Sequence, residues 1–223
     1  MLYKSIQEKV KDDYNAIAKE FSCSRSFPWK EFEDFLPYYK EDFEVLDLGC
    51  GNGRLFKFLE EKGVKTYVGV DNSSELLGLA KKQNPGAEFL LKDISEKLIL
   101  NKKFDAIFAI ASFHHLPKKD QLRALKNWKK LLKPGGYLFM TNWNLWQVRF
   151  FWSWLRAIFW PKYGFLGLQI PWKMQSGKVV KRFYYAFTAR RLRKLLGKAG
   201  FKVVSFKKDR NFVTIARVGN YVA

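Results

Sequence analysis

The sequence predicts an α/β fold, a doubly wound sheet with helices on both faces. Three observations predict it. From Phe43 onward, short buried-looking apolar runs alternate with segments of helical periodicity; one of those runs leads straight into a glycine-rich turn; and 223 residues at 48% hydrophobic content suffice for one sizeable core. No internal repeat or low-complexity stretch interrupts the pattern, so a single domain over 1–223 is expected.

The elements follow in order. Over 1–42, Ile6, Val10, Tyr14, Ile17, Ala18 and Phe21 recur at three- and four-residue spacing, predicting one or two helices that cap something larger before SFPW breaks the run. Over 43–141, EVLDLGC, TYVGVD, AEFLLKD, FDAIFAIAS and GYLFMTNW read as parallel strands, with RLFKFLEEKG, SSELLGLAKKQ and DQLRALKNWKKLLKPGG as the helices between them. Over 142–178 stands an aromatic insertion, NWNLWQVRFFWSWLRAIFW and its continuation. Arg149 and Arg156 leave it no apolar run of the ~20 residues that span a bilayer. It is expected to be a helix or loop folded over the active site; a membrane-surface patch and extra core are the alternatives. Over 179–223, TARRLRKLLGKAGF predicts a last helix, and KVVSFKKD and NFVTIARV two late strands.

Charge is unevenly spread. Met1 to Leu116 holds 17 Lys and Arg against 19 Asp and Glu, whereas Pro117 to Ala223 holds 24 against 2, Asp120 and Asp209. A solvated face normally mixes both signs, so this half points to a polyanion. The densest stretch is KVVKRFYYAFTARRLRK, Lys178 to Lys194. Cys23 and Cys50 form neither a disulfide framework nor a cluster of metal-ligand spacing, so no metal and a reducing, cytoplasmic setting are expected. The amphipathic N-terminus has no apolar core of a signal peptide.

VLDLGCGNGRL, Val45 to Leu55, carries Gly49-x-Gly51-x-Gly53 between a strand and a helix, a turn whose backbone a ligand can approach closely. Asp47 precedes it, and Asp71 ends the next strand, 18 residues after Gly53, where an acid can accept the hydroxyls of a ribose. A nicotinamide enzyme would show G-x-G-x-x-G. With LLKPGGYLFM, Leu131 to Met140, the chain resembles the class I S-adenosylmethionine-dependent methyltransferases, with their Rossmann-like sheet. The resemblance implies S-adenosylmethionine as cofactor. It places Asp47, Gly49, Cys50, Gly51 and Gly53 along its methionine part, Asp71 with Asn72 at its ribose, and Asp93 with Ile94 at its adenine. A helix N-cap is the ordinary alternative for Asp93. His114 and His115 follow the fourth strand, as candidate general bases or as packing.

Two further stretches narrow the acceptor. YNAIAKEFSCSRSFPW, Tyr14 to Trp29, resembles the Y-x-x-I-A-x-x-F-S-x-[ST]-R-x-x-x-W pattern of the tRNA wobble-uridine carboxymethyl methyltransferases, and RFYYAFTARRLRKLL resembles their R-Y-Y-H-x-F segment. Tyr185 stands where that family usually has histidine, and the aromatic insertion is unlike those of its eukaryotic members. The resemblance implies esterification of 5-carboxymethyluridine in a tRNA anticodon arm, with a small zinc-binding activator protein as a partner in eukaryotic relatives. A carboxylate is already nucleophilic at neutral pH, so cations suffice to orient it. Arg25, Arg182, Tyr184 and His115 are the candidate catalytic residues. Trp29 and Tyr184 are candidates for contact with the flipped base, Tyr185 for a substrate hydrogen bond in place of the family's histidine, and Lys181, Arg190, Arg191 and Lys194 for the phosphates. Ordinary alternatives are an ion pair of Arg25 with Glu31 or Glu33, and closure of the N-terminal cap by Trp29. Two rival readings remain: methylation of a small or lipid-like acceptor with Trp152, Trp154 and Phe159 lining an apolar or membrane-facing pocket, and a non-catalytic RNA-binding protein.

Overall fold

The most apolar runs form the middle of the sheet. In a computed structural model that describes residues 5–25 and 27–219, β1 (Glu44–Leu48) lies between β2 (Thr66–Asp71) and β4 (Phe104–Ile110). Outside them lie β3 (Glu88–Leu91) and β5 (Leu132–Trp143), all parallel to their neighbours. The sheet continues through β9 (Asn211–Val218) to β8 (Phe201–Lys208), both joined antiparallel, giving the order β3-β2-β1-β4-β5-β9-β8. The period-two alternation of each strand divides the core. Leu46 and Leu48 face one layer with Ile107 and Ala109, while Val45 faces the other with Ala106, Phe108 and Phe139. Every strand and helix expected between Phe43 and Trp143, and after Thr188, is present, the helices being α2 (Arg54–Glu60), α3 (Ser74–Gln83), α4 (Lys118–Leu131) and α6 (Ala189–Ala199).

The N-terminal segment forms α1 (Ile6–Cys23), opened by a reciprocal cap in which Ser5 Oγ accepts from Glu8 N at 3.0 Å and Glu8 accepts from Ser5 N at 3.2 Å. A 3-10 segment, Lys30–Tyr38, follows and buries Phe32 and Phe35 on the second layer. Against α1 pack α3 and, unexpectedly, a second sheet. Residues 1–4, 26 and 220–223 of the expected segments lie outside the described residues.

The insertion differs from its expectation. After α5 (Phe151–Phe159) the chain forms β6 (Gly167–Lys173), paired antiparallel with β7 (Val179–Tyr185). The expected division at 178/179 therefore falls within a hairpin. Pro171 in a Trp-rich run concealed β6, and a two-stranded sheet tolerates proline because each strand has a free edge. RFYYAF runs from β7 to the turn before α6. Nor does α5 fold over the glycine turn: it packs on β6, around Leu145, Phe150, Ala157, Leu168 and Ile170.

Candidate active site

At the end of β1 the chain reverses through Gly49, Gly51 and Gly53, all at positive φ (79°, 57° and 76°). A Cβ on Gly49 would lie 2.3 Å from Ser112 Cβ, and one on Gly51 would meet only the Phe21 ring, in ordinary contact at 3.9 Å. Below this turn Asp71 accepts from Gly51 N and Ser73 N, each at 2.9 Å, one bond to each oxygen. Both oxygens keep a lone pair for a further donor. Asp47 accepts from Tyr67 Oη at 2.6 Å, while its second oxygen is buried without a partner. Burial pushes its carboxyl up to about 7 and raises that of Asp71 too. Asn15 of α1 accepts from Ser73 Oγ at 2.7 Å, and Ser22 from Asn52 at 3.0 Å, so the N-terminal helix is fastened to both loops.

Facing the turn, across a cleft of about 1020 Å³ open to solvent, is a cation among rings. Arg182 is 3% exposed. Its guanidinium carbon lies 5.0 Å from the ring centre of Trp172, 5.3 Å from Tyr184, 5.8 Å from Tyr14 and 5.9 Å from Trp143. Among the described residues no carboxylate comes within ion-pair distance of it, and its Nε has no partner; Asp13 nearby is engaged by Lys9. Nη1 donates to Tyr14 Oη at 3.4 Å, and Tyr14 Oη meets His115 Nε2 at 2.9 Å. His115 Nδ1 lies 2.7 Å from the Phe183 carbonyl, which only accepts. Nδ1 therefore carries the proton, Nε2 accepts from Tyr14, and Tyr14 accepts from Arg182. Burial, then the charge of Arg182, lowers His115 to about 3. It is a neutral hydrogen-bond relay.

A second cationic group stands nearer the mouth. Arg54 lies 4.3 Å over Trp29, and Arg25 5.3 Å over Phe21. Burial and then the like charge of Arg25 lower Arg54 to about 10, which leaves it charged at neutral pH. Arg25 donates to Ser24 O at 3.1 Å and forms no ion pair with Glu31 or Glu33. Asp93 caps a turn, accepting from Ser95 N at 2.7 Å, and no helix follows it.

The fold thus gathers Asp47, Gly49, Cys50, Gly51, Asp71, Asn72, Asp93 and Ile94 with Arg25, Trp29, His115, Arg182 and Tyr184 around one cleft. Gly53 makes the turn but does not line the space. His114 is fully buried, takes Trp143 N at 3.2 Å and stacks on Tyr184 at 4.8 Å. Other expectations move. Tyr185 points to the opposite side of β7, into the main core against Phe187. Lys181, Arg190 and Lys194 are exposed away from the cleft, while Arg191 turns inward over Tyr185 and donates to Gln121 at 3.4 Å. Trp152, Trp154 and Phe159 do not line the cleft either. Tyr14, Arg54 and Trp143, which do, carried no assignment from the sequence. Nor did Ala111, held at φ 53° by bonds from its N–H to the Thr141 carbonyl and hydroxyl.

A doubly wound sheet with its cleft at the carboxyl ends of the middle strands, over a glycine turn and paired acids, defines a nucleotide-type cofactor enzyme. The methyltransferase-domain profile matches residues 19–206, and the chain belongs to that family, the S-adenosylmethionine-dependent methyltransferases. A protein of Encephalitozoon cuniculi provisionally named a methyltransferase is 30% identical over 193 residues, 86% of each chain. The mouse tRNA (carboxymethyluridine(34)-5-O)-methyltransferase is 31% identical over 142 residues, 63% of this chain. The chain spans only 21% of that relative and 31% of its Arabidopsis thaliana namesake. Among solved structures, a Methanosarcina mazei S-adenosylmethionine-dependent methyltransferase superposes with a TM-score of 0.72 at 24% identity, covering 86% of this chain and 99% of its own. A complex of the Haloferax volcanii Trm112 methyltransferase activator with a methyltransferase gives 0.70 at 17%, covering 96% and 99%.

Proposed function

We propose that this methyltransferase acts on tRNA and esterifies the carboxylate of 5-carboxymethyluridine at the wobble position. The observation that carries the reading is Arg182, a buried guanidinium with no anion of its own, facing the glycine turn across the cleft. Desolvating a cation costs several kcal/mol, and the surrounding rings offset only part of it. A substrate carboxylate completes the site. The mouse and Arabidopsis relatives named for this ester support that acceptor.

The residues of the turn fit the cofactor. The free oxygen of Asp47 takes an ammonium, the spare lone pairs of Asp71 take ribose hydroxyls beside Asn72, and Asp93 with Ile94 borders the adenine. Bound there, S-adenosylmethionine supplies a methyl group on a sulfonium that leaves as a neutral thioether. Arg182 grips the acceptor carboxylate by one oxygen and leaves the other free to bond the methyl carbon. No proton moves in that displacement, so the site needs no general base, and neutral His115 serves by holding Tyr14 against Arg182. Trp29, Trp143 and Tyr184 offer faces to an unstacked uracil, while Arg25 and Arg54 at the mouth suit its flanking phosphate. Lys178, Lys181, Arg190 and Lys194 are exposed and suit phosphates of the anticodon arm. Trp152 and Phe159 are exposed and stand outside the cleft, so they do not line an acceptor pocket beside the glycine turn.

The test is label transfer from methyl-labelled S-adenosylmethionine to tRNA lacking the wobble ester, followed by mild alkali. Volatile labelled methanol is the expected product. Alkali-stable label would move the target to carbon, nitrogen or ribose oxygen. Running the assay with and without an added Trm112-type activator decides whether this chain needs one.

A further inference from the structure

The largest feature that the methyl-transfer reading leaves unused is the outer face of α5. Eight of the thirteen exposed large hydrophobic side chains among the described residues come from 146–165. Val148 is 90% exposed, Trp152 75%, Trp160 74%, Phe159 64%, Phe165 57% and Ile158 52%. On α5, positions 151, 152, 158 and 159 fall within one arc, while buried Ala157 lies opposite. Surface helices ordinarily turn their apolar arc inward; here it faces solvent. The helix is nonetheless fixed, because Trp154 Nε1 donates to Leu145 O at 2.7 Å and Trp146 Nε1 to Phe187 O at 2.8 Å.

Charge identifies the occupant. Arg149, Arg156 and Lys162 frame the patch, no ion pair among the described residues uses them, and from Gln121 to Lys208 the chain contains no Asp or Glu. A partner for this face must accept inserted Trp, Phe, Ile and Val while supplying negative charge around them. We propose that the outer face of α5 docks in the plane of an anionic lipid surface, its aromatic side chains at the headgroup boundary and its three cations on acidic headgroups. Among the described residues no helix is long and apolar enough to cross a membrane, so the contact proposed is interfacial. A second copy would bring two cationic faces together. RNA would meet Val148 and Ile158, aliphatic groups that offer no stacking face and would be desolvated against phosphate. The cleft lies elsewhere, on Trp143, Arg182 and Tyr184, so docking leaves it open.

The experiment is co-sedimentation and tryptophan fluorescence of the whole chain with phosphatidylcholine vesicles, with and without phosphatidylserine. Expected are binding to the anionic vesicles only, a blue shift of emission, and weakening by salt. The triple variant Trp152→Ser, Phe159→Ser, Trp160→Ser, all exposed positions, should lower vesicle affinity at least about tenfold while cofactor affinity by calorimetry stays unchanged. A second variant, Arg149→Gln with Arg156→Gln, should lower it while retaining the blue shift on residual binding. No binding of the unmodified chain overturns the proposal, as does equal binding of the triple variant. It is also overturned if the triple variant loses tRNA affinity instead, which would make the patch an RNA platform, or loses a self-association that the unmodified chain displays.

Discussion

Two of the places where arginine and aromatic side chains stand together have opposite outcomes. In the cleft Arg182 is 3% exposed among four rings, and around α5 Trp152 and Trp160 are about three-quarters exposed beside exposed Arg149 and Arg156. The same residue types give a desolvated, preorganised cation where two sheets and α1 enclose them, and a hydrated surface where a single short helix presents them. Enclosure sets the magnitude. A desolvated cation gains far more from one carboxylate than a hydrated one does, and removing it costs correspondingly more.

The comparison predicts its largest effect at Arg182. Arg182→Ala should reduce methyl transfer about 100- to 1,000-fold, the loss expected for a buried charge partner, while cofactor affinity stays within about twofold. Calorimetry and single-turnover label transfer separate the two; a parallel loss of cofactor binding would mean that Arg182 supports the fold rather than the acceptor. The restoring variant is Arg182→Lys, which keeps charge without the planar fork and should recover only part of the rate.

Next in size is the pH dependence of cofactor binding. Asp47 is held up to about 7 by burial, so below that pH the carboxyl in the free protein carries a proton. An ammonium must displace it, and affinity should fall about tenfold per pH unit below 7 and be flat above. Asp47→Asn should remove one proton from that slope. A profile that is identical in the variant would exclude Asp47 as the ammonium partner.

Smaller still is the outer basic helix. Arg190 and Lys194 are one turn apart and exposed on α6, whereas Arg191 is committed to Gln121 and Tyr185. Replacing Arg190 and Lys194 by Ala should weaken tRNA binding roughly three- to tenfold and reduce the slope of log affinity against log salt by about 1.5 to 2. Arg191→Ala should chiefly lower thermal stability. An unchanged salt slope in the double variant would move the tRNA to another face.

Much of this was legible before any coordinates. Alternation of apolar runs made the five parallel strands legible because all but the edge strand β3 are largely buried on both sides, and Asp47, the glycines and Asp71 are local in the chain and bound to one turn. The hairpin was not legible, since Pro171 and the tryptophans mask the period-two pattern of β6. Neither were Tyr14 and Trp143, which reach Arg182 across separations of 168 and 39 residues that no spacing rule covers. Solvent access is the other missing quantity: the aromatic run of α5 reads equally as core, lid or surface until its packing on β6 leaves Ala157 inside and Phe159 outside.

The same distinction, and at Tyr185 the smallest effect, lies within two adjacent residues. Tyr184 and Tyr185 are neighbours on β7, so their side chains leave opposite faces of the strand. The Tyr184 ring stands 5.3 Å from the Arg182 guanidinium and lines the cleft, whereas Tyr185 packs against Phe187 at 4.8 Å and its hydroxyl meets no partner of good hydrogen-bond geometry. Tyr184→Leu should cost roughly 3- to 30-fold in turnover, as a cation loses one wall of its aromatic cage. Tyr185→Phe removes a buried hydroxyl that gains little from its surroundings, so stability should hold or rise slightly and turnover stay within about twofold. If Tyr185→Phe instead impairs transfer as Tyr184→Leu does, the phenol acts on the acceptor from a position that its placement in the core does not allow, and β7 must twist when tRNA binds.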